Sequence, residues 1–190
     1  MHEIEIFTLS AQDVTAAHNP LVRAYLTLRA STYQMKGFLT AEEINDDGTE
    51  TDMDDCRIHH FLAVNSSGLC GCSRLIYKAS VKDTPLPAEK FFPECFSEPL
   101  HSGAEISRLI IDSASMAQSR QIFTVLSDAE IRCASDLGCL STCFAIIELS
   151  LARLCRLYGI PVRILSAPKF IPEYHAHKLL VQFMVHEREK

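Results

Sequence analysis

The sequence predicts an α/β domain built on a mixed, twisted sheet with helices on both faces. Three observations carry this. Short apolar runs with strand character recur along the chain, and longer segments bear apolar residues at helical spacing. The order also changes, from a strand hairpin in the first half to β-α-β in the second. The 190 residues are enough for a sizeable core, and one domain over residues 1–190 is expected.

Glu3 to Leu9 alternates as a first strand does. Leu21, Tyr25, Leu28 and Thr32 recur at helical spacing and Pro20 suits a first turn, so residues 13–35 read as helical. Gly37 to Cys56 is polar, acidic and without a period, and long loops of this kind are often functional. His60–Val64, the turn Asn65-Ser66-Ser67-Gly68 and Leu69–Tyr77 read as a hairpin. Four prolines break Thr84–Pro99 into a loop with one short helix around Glu89. Glu105–Asp112 is a further strand, and Gln118–Leu137 a long helix ended by Gly138. Leu140–Ile147 reads as a buried strand, and Leu149–Tyr158 as a helix ended by Gly159. Pro161–Leu165 and Leu179–His186 are the last two strands.

Composition narrows the function. Hydrophobic residues are 47% and charged residues 22%, the values of a folded globular chain. The net charge of −6 argues against a general nucleic-acid binder. No apolar run approaches the ~18–20 residues that span a bilayer, and MHEIEIFTLS lacks the basic start of a secretory signal. A cytoplasmic location is therefore expected. In that setting the eight cysteines, none in C-x-x-C, read as small buried hydrophobes. No metal is expected: Asp46-Asp47-Gly48 fails the calcium-loop spacing, and His59-His60 point to opposite faces of a strand. Charge is uneven, net −7 over residues 1–60 and net +2 over 106–190. That suits a cationic substrate on one side and an acidic partner on the other.

Polar residues at positions a plain core would not give them mark the candidate site. They are Leu28-Arg29 with Tyr33 four residues on and Phe38 beyond, then Glu50-x-Asp52-x-x-Asp55, then Ser73-Arg74-Leu75, then Glu105-Ile106-Ser107-Arg108-Leu109. In a strand, Glu105 and Ser107 share one face and Ile106 and Arg108 the other. Buried arginines need anionic partners, so Arg74 and Arg108 are expected to meet carboxylates, with Asp52, Asp55 and Glu105 as candidates.

These four pieces, in this order, resemble the acyl-homoserine-lactone (autoinducer) synthases of the GNAT acyltransferase superfamily. Their relatives, the N-acyl amino acid synthases and the acyltransferase-like proteins of exosortase systems, share the pattern. The motif match runs from about Leu21 to Asp112, and Phe91-Phe92-Pro93 sits where the family carries a phenylalanine. The rest matches in element order. The resemblance implies a GNAT-like fold and transfer of a fatty acyl group from a thioester to an amine. The first acceptor is S-adenosylmethionine, giving an acyl-homoserine lactone for quorum sensing. The second is a free amino acid, and a third possibility is a non-catalytic binding member. No bound cofactor is implied. The family usually carries a tryptophan at the S-adenosylmethionine pocket; this chain has none, and Phe38 is the nearest stand-in.

By the resemblance Glu105 is the base that takes the amine proton, with Arg108, Asp52 and Asp55 in the catalytic set. Arg29, Tyr33, Phe38, Arg74, Phe91, Phe92 and Ser107 would bind substrate. The donor is expected to be acyl-phosphopantetheine on acyl carrier protein. Asp112–Arg120 has none of the glycines with which coenzyme A enzymes cradle a pyrophosphate. Arg120, Arg132, Arg153, Arg156 and Lys169 are candidate docking residues for that acidic partner. Phe123, Leu126, Phe144 and Ile146 are candidates for an acyl cleft.

Overall fold

The computed structural model describes residues 3–15, 19–113 and 115–184. It contains β1 (Glu5–Ser10), α1 (Ala11–Thr15), α2 (Pro20–Met35), β2 (Ile58–Asn65), β3 (Gly68–Lys78), α3 (Pro87–Phe91) and β4 (Gly103–Ile111). These are followed by α4 (Met116–Asp136), β5 (Cys143–Ile147), α5 (Leu149–Leu157), β6 (Val162–Ile164), β7 (Lys169–Ile171) and β8 (Ala176–Phe183). The strands hydrogen-bond in the order β1-β2-β3-β4-β5-β8-β6, with β7 on β8, in a mixed sheet.

The chain divides into two compact units, and β3 and β4 each run from one into the other. The first holds Met1–Arg74, Arg108–Glu130 and Glu173–His175. Its β1 and β2 pair antiparallel, Leu9 opposite His60. Its core is Leu9, Val22, Tyr25, Leu26, Tyr33, Leu62, Cys72 and Ile110, with Phe38 packed against it. A Cβ on Gly71 would lie 2.5 Å from Ile122 Cγ2 of α4, while the next residue, Cys72, is in the cluster built on α2. Strand alternation therefore puts α2 and α4 on opposite faces of β3. The second unit holds Leu75–Ser107, Ile131–Pro172 and Ala176–Lys190. Within it β4 and β5 run parallel from Ala104 opposite Cys143 to Ile106 opposite Ala145. Strand β8 pairs antiparallel with β5, β6 and β7.

Several expectations need correction. The helix expected over 13–35 is two elements, with residues 16–18 outside those described. Asn19 Oδ1 accepts from the Leu21 N–H, and Pro20 opens the first turn, so the Asn-Pro pair starts a helix of its own. The loop 37–56 holds two single 3₁₀ turns, Ala41–Glu43 and Met53–Cys56. Leu140–Thr142 is a 3₁₀ turn before β5 rather than part of it. Strand β7 is additional to the elements expected, and β8 starts at Ala176; the expected end of the last strand, residues 185 and 186, lies outside the described residues. Finally, Arg108 has φ of +57° inside β4. A left-handed residue breaks the two-residue alternation, so the expected pairing of Ile106 and Arg108 on one face does not follow.

Candidate functional site

In the first unit, α2 spaces Tyr25, Arg29 and Tyr33 by four residues, and all three are buried. The acidic loop is tied to this helix by the Glu50 N–H, which donates to Leu26 O at 3.3 Å. Asp52 and Asp55 then cap one turn reciprocally. Asp52 Oδ1 accepts from the Asp54 N–H at 2.9 Å, and Asp55 Oδ2 accepts from the Asp52 N–H at 2.8 Å. This D-x-x-D capping box leaves Asp55 Oδ1 and Asp52 Oδ2 for other donors.

Three arginines from three elements meet these acids. Arg29 donates through Nε to Glu50 Oε2 at 2.6 Å and through Nη1 to Asp55 Oδ1 at 2.8 Å. Arg74 Nη1 reaches Asp52 Oδ1 at 2.6 Å and Asp55 Oδ1 at 3.1 Å. Arg108 Nη2 reaches Asp52 Oδ2 at 2.6 Å and Glu50 Oε1 at 3.1 Å. Three guanidinium charges thus face three carboxylates, which satisfies the requirement that buried charges be paired. Burial alone would raise the Asp52 pKa; Arg74 and Arg108 reverse that and hold it far below the usual range. Asp55 is lowered likewise, its burial outweighed first by Arg29. Burial opposes the charges of Arg29 and Arg108 too. The carboxylates of Asp55 and Glu50 around Arg29, and of Glu50 and Asp52 around Arg108, more than offset it and raise both.

Two members are open to solvent. Asp52 has 25% of its side chain exposed and Arg108 18%, against 8% or less for the others. They sit side by side at the accessible edge of a buried cluster. The Arg108 guanidinium lies 4.9 Å above the Tyr33 ring, which in turn stands 6.0 Å from Phe38. The cluster also extends inward. Tyr25 Oη accepts from Arg29 Nη1 at 3.0 Å and lies 2.6 Å from His60 Nδ1. Arg29 can only donate, so the phenol proton goes to Nδ1, and His60 carries its own proton on Nε2, 3.9 Å from Asp55 Oδ1. Burial lowers the His60 pKa to about 4, so the ring is neutral at neutral pH. Burial also raises the Tyr25 pKa, which keeps the phenol protonated.

Arg29, Tyr33, Phe38, Asp52, Asp55, Arg74 and Arg108 therefore come together in the first unit, with Arg74 and Arg108 on carboxylates as expected. Glu50, whose motif was legible, proves to be the third acid of the cluster. Tyr25 and His60 are members that the sequence reading missed. The signal for Tyr25 was its place four residues before Arg29; for His60 it was a polar ring in an apolar strand.

The remaining residues lie in the second unit. Glu105 is buried, and its Oε2 accepts from the Ala88 N–H at 2.6 Å, which ties the first turn of α3 to β4. Glu89 fixes the same segment by accepting from Leu86 N–H, Leu100 N–H and the buried Lys78 Nζ. Ser107 and Phe91 are half-buried, and Phe92 is fully buried. A surface hollow of about 390 Å³, lined by Cys95–Ser102 and Thr142, includes none of the residues named from the sequence. Among the described residues no His, Cys, Asp and Glu cluster is arranged to hold a metal ion. Asp47, in the stretch weighed for calcium, spends its Oδ1 on Thr49.

No family model matches this sequence, and no curated protein matches it. Its three-dimensional shape does match solved structures. The chain aligns with the acyl-homoserine lactone synthase LasI at a TM-score of 0.67 and 15% identity, over 96% of this chain and 89% of that one. With BjaI, a CoA-dependent acyl-homoserine lactone synthase solved with S-adenosylmethionine and isopentyl-CoA, the TM-score is 0.69 at 17% identity, over 96% and 84%. With FeeM, an N-acyl amino acid synthase from uncultured soil microbes, it is 0.68 at 14% identity, over 96% and 92%. The chain has the GNAT-type fold.

On this GNAT-type fold the candidate docking residues distribute as follows. Arg120 and Arg132 are exposed on α4, and Arg153 and Arg156 are exposed on α5. Lys169 is half-buried on β7. Its Nζ pairs with Glu94 Oε1 at 2.9 Å and lies 4.3 Å above the Phe92 ring, so its charge is already engaged. Of the residues considered for an acyl cleft, Phe123, Leu126 and Phe144 are buried. No helix is long and apolar enough to cross a membrane, among the described residues.

Proposed function

We propose that this chain is an N-acyltransferase that moves a fatty acyl group from a thioester to the amino group of an acceptor carrying an α-amino acid moiety. The supporting observation is the Asp52–Arg108 pair, the two exposed members of an otherwise buried, charge-balanced cluster. A carboxylate beside a guanidinium matches an ammonium beside a carboxylate, and the guanidinium fork suits a carboxylate. S-adenosylmethionine and a free amino acid both present that group. S-adenosylmethionine is the first acceptor, with Tyr33 and Phe38 as the aromatic wall.

Glu105 stands three residues before Arg108 on β4 and is the candidate base. It takes the ammonium proton; the freed amine forms the C–N bond at the thioester carbonyl; and the C–S bond breaks, the thiolate leaving with a proton. The donor we favour is acyl-phosphopantetheine on acyl carrier protein. The α4 N-terminus has no glycine-rich turn, and the Gln118 N–H is already taken by Ser115 Oγ at 3.2 Å. The arginines of α4 and α5 would meet the acidic carrier.

The test is mass spectrometry of lipid extracts from bacteria expressing the chain or its Glu105→Gln variant. The amide side chain of that variant keeps an oxygen for the Ala88 N–H, so it should fold while losing the base. Acyl-homoserine lactones from the parent chain alone support the first acceptor, and N-acyl amino acids move the assignment to a free amino acid. Neither product from folded protein refutes the enzyme and favours a binding protein. Purified protein given acyl carrier protein or coenzyme A thioesters then decides the donor.

A further inference from the structure

Lys78 at the end of β3 and Glu89 on α3 form a buried ion pair that the proposed chemistry does not use. Lys78 is 1% exposed, and lysine is rarely buried to that degree without a partner. Its Nζ donates to both carboxylate oxygens of Glu89, at 2.8 and 3.0 Å. Each of those oxygens also takes a backbone N–H. Glu89 Oε2 accepts from Leu86 at 2.8 Å, and Oε1 from Leu100 at 2.9 Å. Glu89 thus pins together the end of β3, the turn that opens α3 and the chain that leads into β4.

The pinned residues lie against β4. A Cβ on Gly103 would meet Leu100 Cδ1 at 3.2 Å and Leu86 Cδ1 at 3.4 Å. Gly103 and Glu105, two apart on a strand, share a face of β4. Leu86 and Ala88 are also two apart, and the Ala88 N–H meets Glu105 Oε2 at 2.6 Å. Leu86 at Gly103 and Ala88 at Glu105 are therefore successive contacts of one segment along one strand face. An N–H in the first turn of a helix has no partner within the helix, so that of Ala88 is available to a carboxylate. Its place is set by whatever holds the turn.

We propose that Glu89, paired with Lys78, is a positioning residue for Glu105. By fixing Leu86 and Leu100 it sets where the Ala88 N–H meets Glu105 Oε2, and so how that carboxylate is turned towards the acceptor amine. A backbone N–H bonded to a carboxylate also favours its ionised form, which is the form a base needs. A carboxylate suits the pinning task because it accepts on two oxygens at once, from two segments of chain. The role rests on the acyltransferase reading; the contacts do not.

The test compares the full chain with Glu89→Gln, which turns an NH2 group towards one of the two N–H donors. If the unpaired Lys78 charge prevents folding, Lys78→Met/Glu89→Gln removes both buried charges and takes its place. The scalar coupling across the bond from the Ala88 nitrogen to the Glu105 carboxyl carbon should be present in the parent chain and lost in the folded variant. A coupling that survives overturns the proposal, because a purely structural Glu89 would lower stability and leave that bond intact in the folded molecules. Initial rates are then read with an acyl carrier protein thioester and S-adenosylmethionine, or with an amino acid if the lipid extracts hold N-acyl amino acids. The kcat should fall about 10²-fold, the scale of a misplacement of about 1 Å. KM for the acceptor should hold, since Asp52 and Arg108 are held by each other, Arg74 and Glu50. An unchanged kcat, or a change in KM alone, also overturns the proposal. Loss of the coupling with no acyl product from the parent chain overturns the acyltransferase reading and the catalytic role with it, while the contacts between Glu89 and Glu105 stand.

Discussion

Replacing His60 with asparagine removes a titrating group from the inner end of the arginine cluster while leaving an oxygen to accept from Tyr25. His60 has a pKa of about 4 in the folded chain against an ordinary 6.5, because burial disfavours the imidazolium. The unfolded chain therefore binds the proton first as pH falls. Stability from this residue is complete above pH 6.5 and is lost progressively as pH drops from 6.5 to about 4. The difference corresponds to about 3 kcal/mol, roughly a third of what a typical domain has in total. Asp52 and Asp55 act in a different window. Their folded pKa values are depressed below the ordinary 3.8, so their contribution is present above that value and fails only in stronger acid. Urea unfolding at a series of pH values between about 4 and 8 separates the two. The parent chain should lose about 3 kcal/mol more than His60→Asn across pH 6.5 to 4. Parallel curves would refute the assignment of a neutral, buried imidazole. Ring ¹⁵N shifts offer an independent check, with Nδ1 as acceptor and Nε2 protonated down to about pH 4.

Other expectations rest on single contacts. Gly71→Ala would force a methyl to 2.5 Å from Ile122 Cγ2 and 3.1 Å from Ile110 O; the overpacking should lower stability by about 1–3 kcal/mol in denaturant unfolding. Asp55→Asn leaves Arg29 and Arg74 short of one buried partner and should cost about 3–5 kcal/mol by the same measurement. Glu130→Gln should stabilise the chain by up to about 3 kcal/mol at pH 7. The folded parent holds its Glu130 proton until about pH 8 while the unfolded chain releases it near 4.5, so the parent weakens as pH rises between those values. The advantage of Glu130→Gln should therefore vanish towards pH 4.5.

The arginine cluster was legible because burial of a guanidinium carries a requirement. Arg74 sits in an apolar strand, so acids had to meet it, and the acidic loop 37–56 was the obvious supplier. What failed was alternation across Arg108, since no sequence rule places a left-handed arginine inside a strand. The break before α2 was present in Asn19-Pro20 but lost under the longer helical period. Strand β7, three residues between Pro168 and Pro172, has no period long enough to see. Nothing in the sequence singles out Glu130, because its burial depends on how α4 lies against β3. For Tyr25 and His60, the contact joins residues 35 positions apart, which local patterning does not report.

The cluster also sets an order of assembly. The acids of one short loop depend on guanidiniums from α2, β3 and β4, the most distant of them 58 positions away. Loop closure over such spans is entropically expensive until the intervening elements are in place. The segment 50–55 therefore has little reason to settle before the helix and both strands have docked, and it should be among the last parts of its unit to order. By microscopic reversibility it is among the first to let go. Its amides should exchange with solvent by local opening well before those of β3 do. The corner that presents Asp52 and Arg108 is then the part of the molecule best able to breathe while the sheet beneath it holds still.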